Sequence, residues 1–104
     1  MPYEEWVAVC YGSDLKYIGR VIDEGADTMT IRFLEKRADG CFEIKRGHEE
    51  VEKRLVFMRN VAVNWTGPGR YNVPDIKMIA KKNKEHWKLL RLKEKVIIRA
   101  SILG

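Results

Sequence analysis

The stretch Thr28 to Lys45, TMTIRFLEKRADGCFEIK, decides the fold. Its first part alternates: Met29, Ile31 and Phe33 point to one side of an extended chain while Thr28, Thr30 and Arg32 point to the other. That period of two predicts a half-buried strand over Thr28 to Glu35. At Ala38-Asp39-Gly40 the chain meets an Asp-Gly pair, which tolerates the positive φ angles of a tight strand reversal. Cys41 to Lys45 then returns as a second strand.

The pattern extends outward on both sides. Upstream, Lys16 to Asp23 (KYIGRVID) reads as a strand with Gly19 in its interior, where a glycine predicts a bulge or a sharp bend, and Asp23 to Asp27 reverses the chain. Before it, Trp6 to Tyr11 (WVAVCY) is aromatic and β-branched, with Gly12, Ser13 and Asp14 supplying the turn. Downstream, Arg46 to Arg54 is nearly all polar and reads as a loop or an exposed extension of the hairpin. Two short apolar pieces follow, Leu55 to Phe57 and Val61 to Trp65, interrupted by Arg59 and Asn60. Five short strands in about 60 residues, with no helix between them, predict a mostly β fold closed as a small barrel.

Thr66-Gly67-Pro68-Gly69 cannot continue a ladder and predicts the end of the barrel. The expected division is a barrel over residues 1–66, a linker over 67–74 and a basic helical tail with an apolar end over 75–104, with residues 1–70 folding unaided. Pro74 and Asp75 suit the first turn of a helix, the proline because its missing N–H would be unpaired there and the aspartate because it faces the positive dipole end. Residue types favour helix from Asp75 to about Leu92, but the polar middle, KKNKEH at 81–86, leaves its continuity open. The final VIIRASIL at 96–103 suits either a strand or the end of a helix.

The chain has 104 residues, 45% apolar and 34% charged, which supports one folded domain and no large enclosed active site. No apolar run approaches the roughly 20 residues of a membrane span, and the acidic start MPYEEWVAV is unlike a secretory signal. Cys10 and Cys41 are too few for a disulfide framework and read as reduced, buried, small hydrophobes inside the cell. His48 and His86 stand apart from each other and from the cysteines, and no nucleophile-and-base spacing or phosphate loop occurs. No metal, cofactor or catalytic activity is therefore expected. His48-Glu49-Glu50 reads as a solvated loop. Charge divides along the chain: residues 1–75 hold 11 Lys and Arg against 13 Asp and Glu, residues 76–104 hold 9 against 2.

With the strands placed, VCY, YIGRV, TIRF, the Asp-Gly hairpin, CFEI and VFMRNVAV resemble a Tudor-type member of the SH3-like (Royal-type) barrels over residues 6 to about 65. In that family an aromatic ending the first strand faces one that starts the second, a hydrophobic-aromatic third strand follows, and a one-turn segment leads into the last strand. Tyr11, Tyr17, Phe33 and Arg59-Asn60-Val61 fall at the matching places. The resemblance implies recognition of a protein or peptide segment, methylated or not, by an aromatic cage, since a methylated cation is drawn to ring faces. Where the family often has a further cage aromatic this chain reads Leu34-Glu35-Lys36, so Phe42 or Phe57 would have to fill the gap from another strand. The bland alternative is that these rings cap the barrel core.

In the tail, Lys77, Lys81, Lys82, Lys84, Lys88 and Arg91 are candidates for contact with nucleic acid, or else a solvated helix face. Ile76, Ile79, Trp87 and Leu90 have helical spacing for packing on the barrel. The apolar end predicts burial on the barrel, on a partner or in a homodimer formed through Val96 to Leu103. The leading expectation is a chromatin- or nucleic-acid-associated adaptor in a nuclear rather than cytoplasmic setting. Its rivals are a direct DNA- or RNA-binding barrel and a structural subunit docked by its C-terminus.

Overall fold

Trp6–Cys10 forms strand β1 and is buried at every position. Neighbouring residues of a strand face opposite ways, so such a run needs cover on both sides. Val7 and Val9 enter one core with Met29, Ile31, Phe33 and Val51. Trp6 and Ala8 enter a second with Ile18, Leu34, Val61, Val73 and Ile79. The structure is a computed structural model that describes the backbone of residues 4–103 and the side chains of residues 4–92.

The strands after β1 are β2 (Lys16–Glu24), β3 (Thr28–Lys36), β4 (Phe42–Ile44), β5 (Glu49–Glu52), β6 (Val56–Met58), β7 (Asn64–Gly67) and β8 (Arg70–Asn72). They form one antiparallel sheet of eight strands in the order β6-β1-β2-β3-β4-β8-β7, with β5 also on β3. β3 uses one edge twice: Thr28–Ile31 pairs with β5 and Leu34–Lys36 with β4. The alternation seen in the sequence is real, since Met29, Ile31 and Phe33 are all buried. The reversal after β3 falls at Gly40, whose φ of 86° is glycine territory.

Several expectations are corrected. Eight strands stand where five were expected. Of the two readings of Arg46 to Arg54, a loop or an exposed extension of the hairpin, the loop fails: the stretch holds β5, which pairs with β3, and a one-turn 3-10 helix, Lys53–Leu55, and Val51 alone anchors β5 in the core. A strand with one buried side chain shows no alternation to detect. The one-turn segment therefore precedes Val56–Met58, the strand that pairs with β1, and Arg59-Asn60 is only a bend, with Asn60 at φ 54°. Val61 to Trp65 is not a strand throughout. The Val61 amide donates to the Trp6 carbonyl at 2.8 Å and its side chain is buried, and pairing starts only at Asn64. Gly67-Pro68-Gly69 is no linker; it ends β7 and turns the chain into β8. Gly19 sits in regular register opposite Val7 and Phe33, and the irregularity lies between Val21 and Asp23 instead. Glycine is needed at 19 for close approach, because a Cβ there would stand 2.3 Å from Ile31 Cγ2 and 2.8 Å from the Arg32 carbonyl oxygen.

Helix α1 (Ile76–Leu103) is continuous through the polar middle and through 96–103. It is not an appendage. Ile79 is fully buried in the second core, Asn83 and Leu90 are buried, and Ile76, Ala80, His86 and Trp87 are half-buried, a spacing of three and four that marks one helix face. Phe57 stacks on His86, with ring centroids 5.8 Å apart. The homodimer expected through Val96 to Leu103 rests on side chains outside the described residues. No helix of the described residues is long and apolar enough to cross a membrane.

Candidate functional site

β1 and β2 are joined by a turn that brings Tyr11 and Tyr17 to one rim. The Tyr11 and Gly12 amides both donate to the Leu15 carbonyl, at 2.9 and 3.1 Å, which closes the loop tightly. Val9 lies opposite Tyr17 in the β1–β2 register, so the residues that bracket the turn are neighbours in space. Phe33 on β3 lies beneath them, 5% exposed against 38% for each tyrosine. The three rings meet edge to face, with centroids 5.6 Å apart for Tyr11 and Tyr17, 6.3 Å for Tyr11 and Phe33, and 5.7 Å for Tyr17 and Phe33. These centroids lie on a circle of radius about 3.4 Å, a compact cluster of three rings.

The rings open onto a cleft of about 710 Å³, lined also by Leu15, Lys45, Glu49 and Glu50. That size falls within the span of ligand sites in general. Two carboxylates face one ammonium there. The Lys45 amide donates to the Phe33 carbonyl at 2.9 Å, and its ammonium stands 6.0 Å from the Tyr17 centroid. The Tyr11 hydroxyl is pushed above its ordinary pKa, first by burial and then by the negative charge of Glu49, so it remains a hydrogen-bond donor at neutral pH.

Tyr11, Tyr17 and Phe33 thus come together, and Phe42 and Phe57 do not join them. Phe42 packs against the second core and lies opposite Tyr71, while Phe57 is taken up by His86. Lys36 is absent from the cleft lining, and Lys45 is the lysine that reaches it. Leu15 and Lys45 carry no sequence signal of this role, and Glu49 and Glu50, expected in a solvated loop, line the cleft because they lie on β5.

Asn83 of α1 is the other residue that spacing alone underrates. Its Nδ2 donates to the carbonyls of Gly12 and Ser13 at 2.9 and 3.0 Å, and the Cys10 thiol lies 3.6 Å from the Gly12 carbonyl and 3.7 Å from that of Asn83. Lys84 adds an ion pair to Asp14 at 3.3 Å. The helix therefore grips the turn that carries the cleft tyrosines. A signal did exist: Asn83 falls between Ile79 and Leu90 on the buried line, where a polar residue needs a partner. Lys77, Lys81, Lys82, Lys84, Lys88 and Arg91 are all exposed and take no part in the cleft.

Among the described residues no three His, Cys, Asp or Glu side chains converge as a metal site would require. No protein-family model, no curated protein and no solved structure matches the chain.

Proposed function

We propose that the chain is a non-catalytic recognition module of the SH3-like, Tudor-type barrel class, whose cleft takes a cationic side chain, a methylated lysine or arginine, from a partner protein. The observation that carries this reading is the meeting of three aromatic rings and two carboxylates around one cleft. Ring faces attract a desolvated cation by roughly 0.5 to 2 kcal/mol per contact, and methylation removes the N–H groups that would otherwise hold it in water. Glu49 and Glu50 outweigh the charge of Lys45, so the lining favours a cation. The order β6-β1-β2-β3-β5, with a one-turn helix leading into β6, supports the barrel class, β4 and the β7–β8 hairpin being additions to it. A chromatin-associated, nuclear setting belongs to the same proposal.

The test is an NMR titration of the full chain with acetyl-lysine-amide probes carrying zero to three Nζ-methyl groups, and with the dimethyl-arginine counterpart. Methylated probes should shift the amides of residues 11–17 and 49–51, the unmethylated probe much less. Tyr17→Ala, folded, should weaken a methylated peptide by about 2 kcal/mol or more, as loss of a central aromatic anchor does. Methylated probes that leave those amides unmoved at millimolar concentration refute the proposal, and so does a folded Tyr17→Ala that binds like the parent.

A further inference from the structure

Lys77, Lys81, Lys84, Lys88 and Arg91 follow one another at intervals of four, three, four and three residues. At 3.6 residues per turn these positions share one line along α1, about 21 Å long at 1.5 Å per residue. All five side chains are exposed, on the side away from the buried Ile79, Asn83 and Leu90. Glu85 is the only carboxylate within Ile76–Leu92. Among the described residues the line makes a single ion pair, Lys84 with Asp14.

A helix face kept for solubility alone has a different composition. Residues three and four apart on a helix are neighbours, and like charges there repel. Lys77 with Lys81, Lys81 with Lys84, Lys84 with Lys88 and Lys88 with Arg91 make four such contacts in succession. Lys77 also stands in the first turn, at the positive end of the helix dipole, where Asp75, whose carbonyl accepts from the Ile79 amide, is the one carboxylate beside it. A line of mutually repelling cations is relieved by a ligand that presents a line of anions.

We infer that this stripe of α1 binds the phosphate backbone of nucleic acid, without regard to base sequence. Each strand of a duplex carries one negative charge about every 3.4 Å, so the stripe spans roughly six of them along its length. A helix some 10 to 12 Å across also matches a major groove about 12 Å wide. An anionic bilayer fits less well, because its charges spread over a plane whereas the stripe is a single line along α1. The inference is independent of the cleft.

Fluorescence anisotropy of the full chain with a random duplex of about 20 base pairs, over a range of salt, gives the number of phosphates engaged. The variant Lys77→Gln/Lys81→Gln/Lys88→Gln spares Lys84 and its contact with Asp14. It should lower the slope of log K against log salt by about 2 to 3 at a melting temperature no lower than the parent's. Lys→Arg at the same three positions should keep the slope, and Lys36→Gln/Arg46→Gln, exposed and outside α1, should leave it alone. The inference is overturned by a Gln variant that keeps the parent slope, by a parent that binds no duplex at low salt, or by phosphatidylserine vesicles that bind better than duplex at equal salt. None of these results touches the methyl-lysine titration, which reads residues 11–17 and 49–51.

Discussion

Asn83→Ala should loosen the cleft without touching it. The change removes two hydrogen bonds, Nδ2 to the carbonyls of Gly12 and Ser13 at 2.9 and 3.0 Å. Each is worth about 0.5 to 1.5 kcal/mol net. Two terms pull the sum down: Ser13 is exposed, so its carbonyl regains water, and the buried Oδ1, which has no partner among the described residues, disappears with the side chain. Alanine also favours helix over asparagine by several tenths of a kcal/mol. The expected loss is about 1 to 2 kcal/mol, which at a urea m-value near 1.5 kcal/mol/M moves the unfolding midpoint down by about 1 M. Hydrogen exchange should locate the effect, because the Tyr11 and Gly12 amides that close the turn on Leu15 lose protection before those of β3. Affinity for a methylated probe should fall roughly fivefold through lost preorganisation of Tyr11 and Leu15. Asn83→Asp should cost more than alanine, because it sets acceptor oxygens against two carbonyls and buries a charge. An alanine variant with the parent's midpoint and unchanged exchange at Tyr11 and Gly12 would show that the helix does not hold the turn.

Three other outcomes follow from the packing and the charges. Gly19→Ala should destabilise by about 3 kcal/mol or more, since the new methyl meets Ile31 Cγ2 at 2.3 Å and a backbone oxygen at 2.8 Å, beyond ordinary overpacking; a denaturant midpoint within error of the parent would contradict this. Residues 1–70 alone should give no cooperative thermal transition, because they lack Val73, Ile79 and Leu90, whose burial contributes about 1.5 to 3 kcal/mol each, a sum close to the whole stability of a small domain; a sharp transition in that fragment would restore the independent barrel expected from the Gly-Pro-Gly boundary. Glu24 is held down from 4.5 to about 2 by hydrogen bonds from Arg59 and then Lys53, and Glu5 is lowered by Arg59. A depressed carboxylate stabilises the fold above its ordinary pKa and loses that effect as pH falls, so the melting temperature should drop between pH 4.5 and 2, less so in Arg59→Met and in high salt; equal acid profiles for parent and Arg59→Met would remove this network from the account.

How much of this was legible in the sequence depended on whether a residue's role left a periodic trace. β3 was plain because Met29, Ile31 and Phe33 repeat every second residue, and the Tyr11–Tyr17 pair followed from two strand ends joined by a short turn. β5 was not, because one valine among glutamates carries no period, and the carboxylates of the cleft went with it. Gly-Pro-Gly was ambiguous in kind: the same residues that stop a ladder also reverse one, and only the pairing of Trp65 with Tyr71 distinguishes a hairpin from a linker. Gly19 was read through its backbone freedom, whereas its place is set by what lies beside it, the Ile31 side chain in the next strand. Contacts distant in sequence leave no local pattern.

The helix looks separable in the sequence because its two faces carry different kinds of residue. Its charge, 9 Lys and Arg against 2 Asp and Glu over residues 76–104, is a property of the outward face. The inward face reads differently: Ile79 completes a core begun by Trp6 and Ala8, His86 stacks on Phe57, and Asn83 holds the turn between the two tyrosines. Lys84 belongs to both faces, since it lies on the basic line and pairs with Asp14 in that turn. An anion that drew Lys84 off Asp14 would act on the cleft by way of Asp14 alone, because the Asn83 bonds remain. A surface ion pair contributes about 0 to 1 kcal/mol, so coupling between the helix and the cleft through Lys84 is bounded at about fivefold. The two surfaces are therefore mechanically joined but energetically almost independent, and variants in one can be used to measure the other.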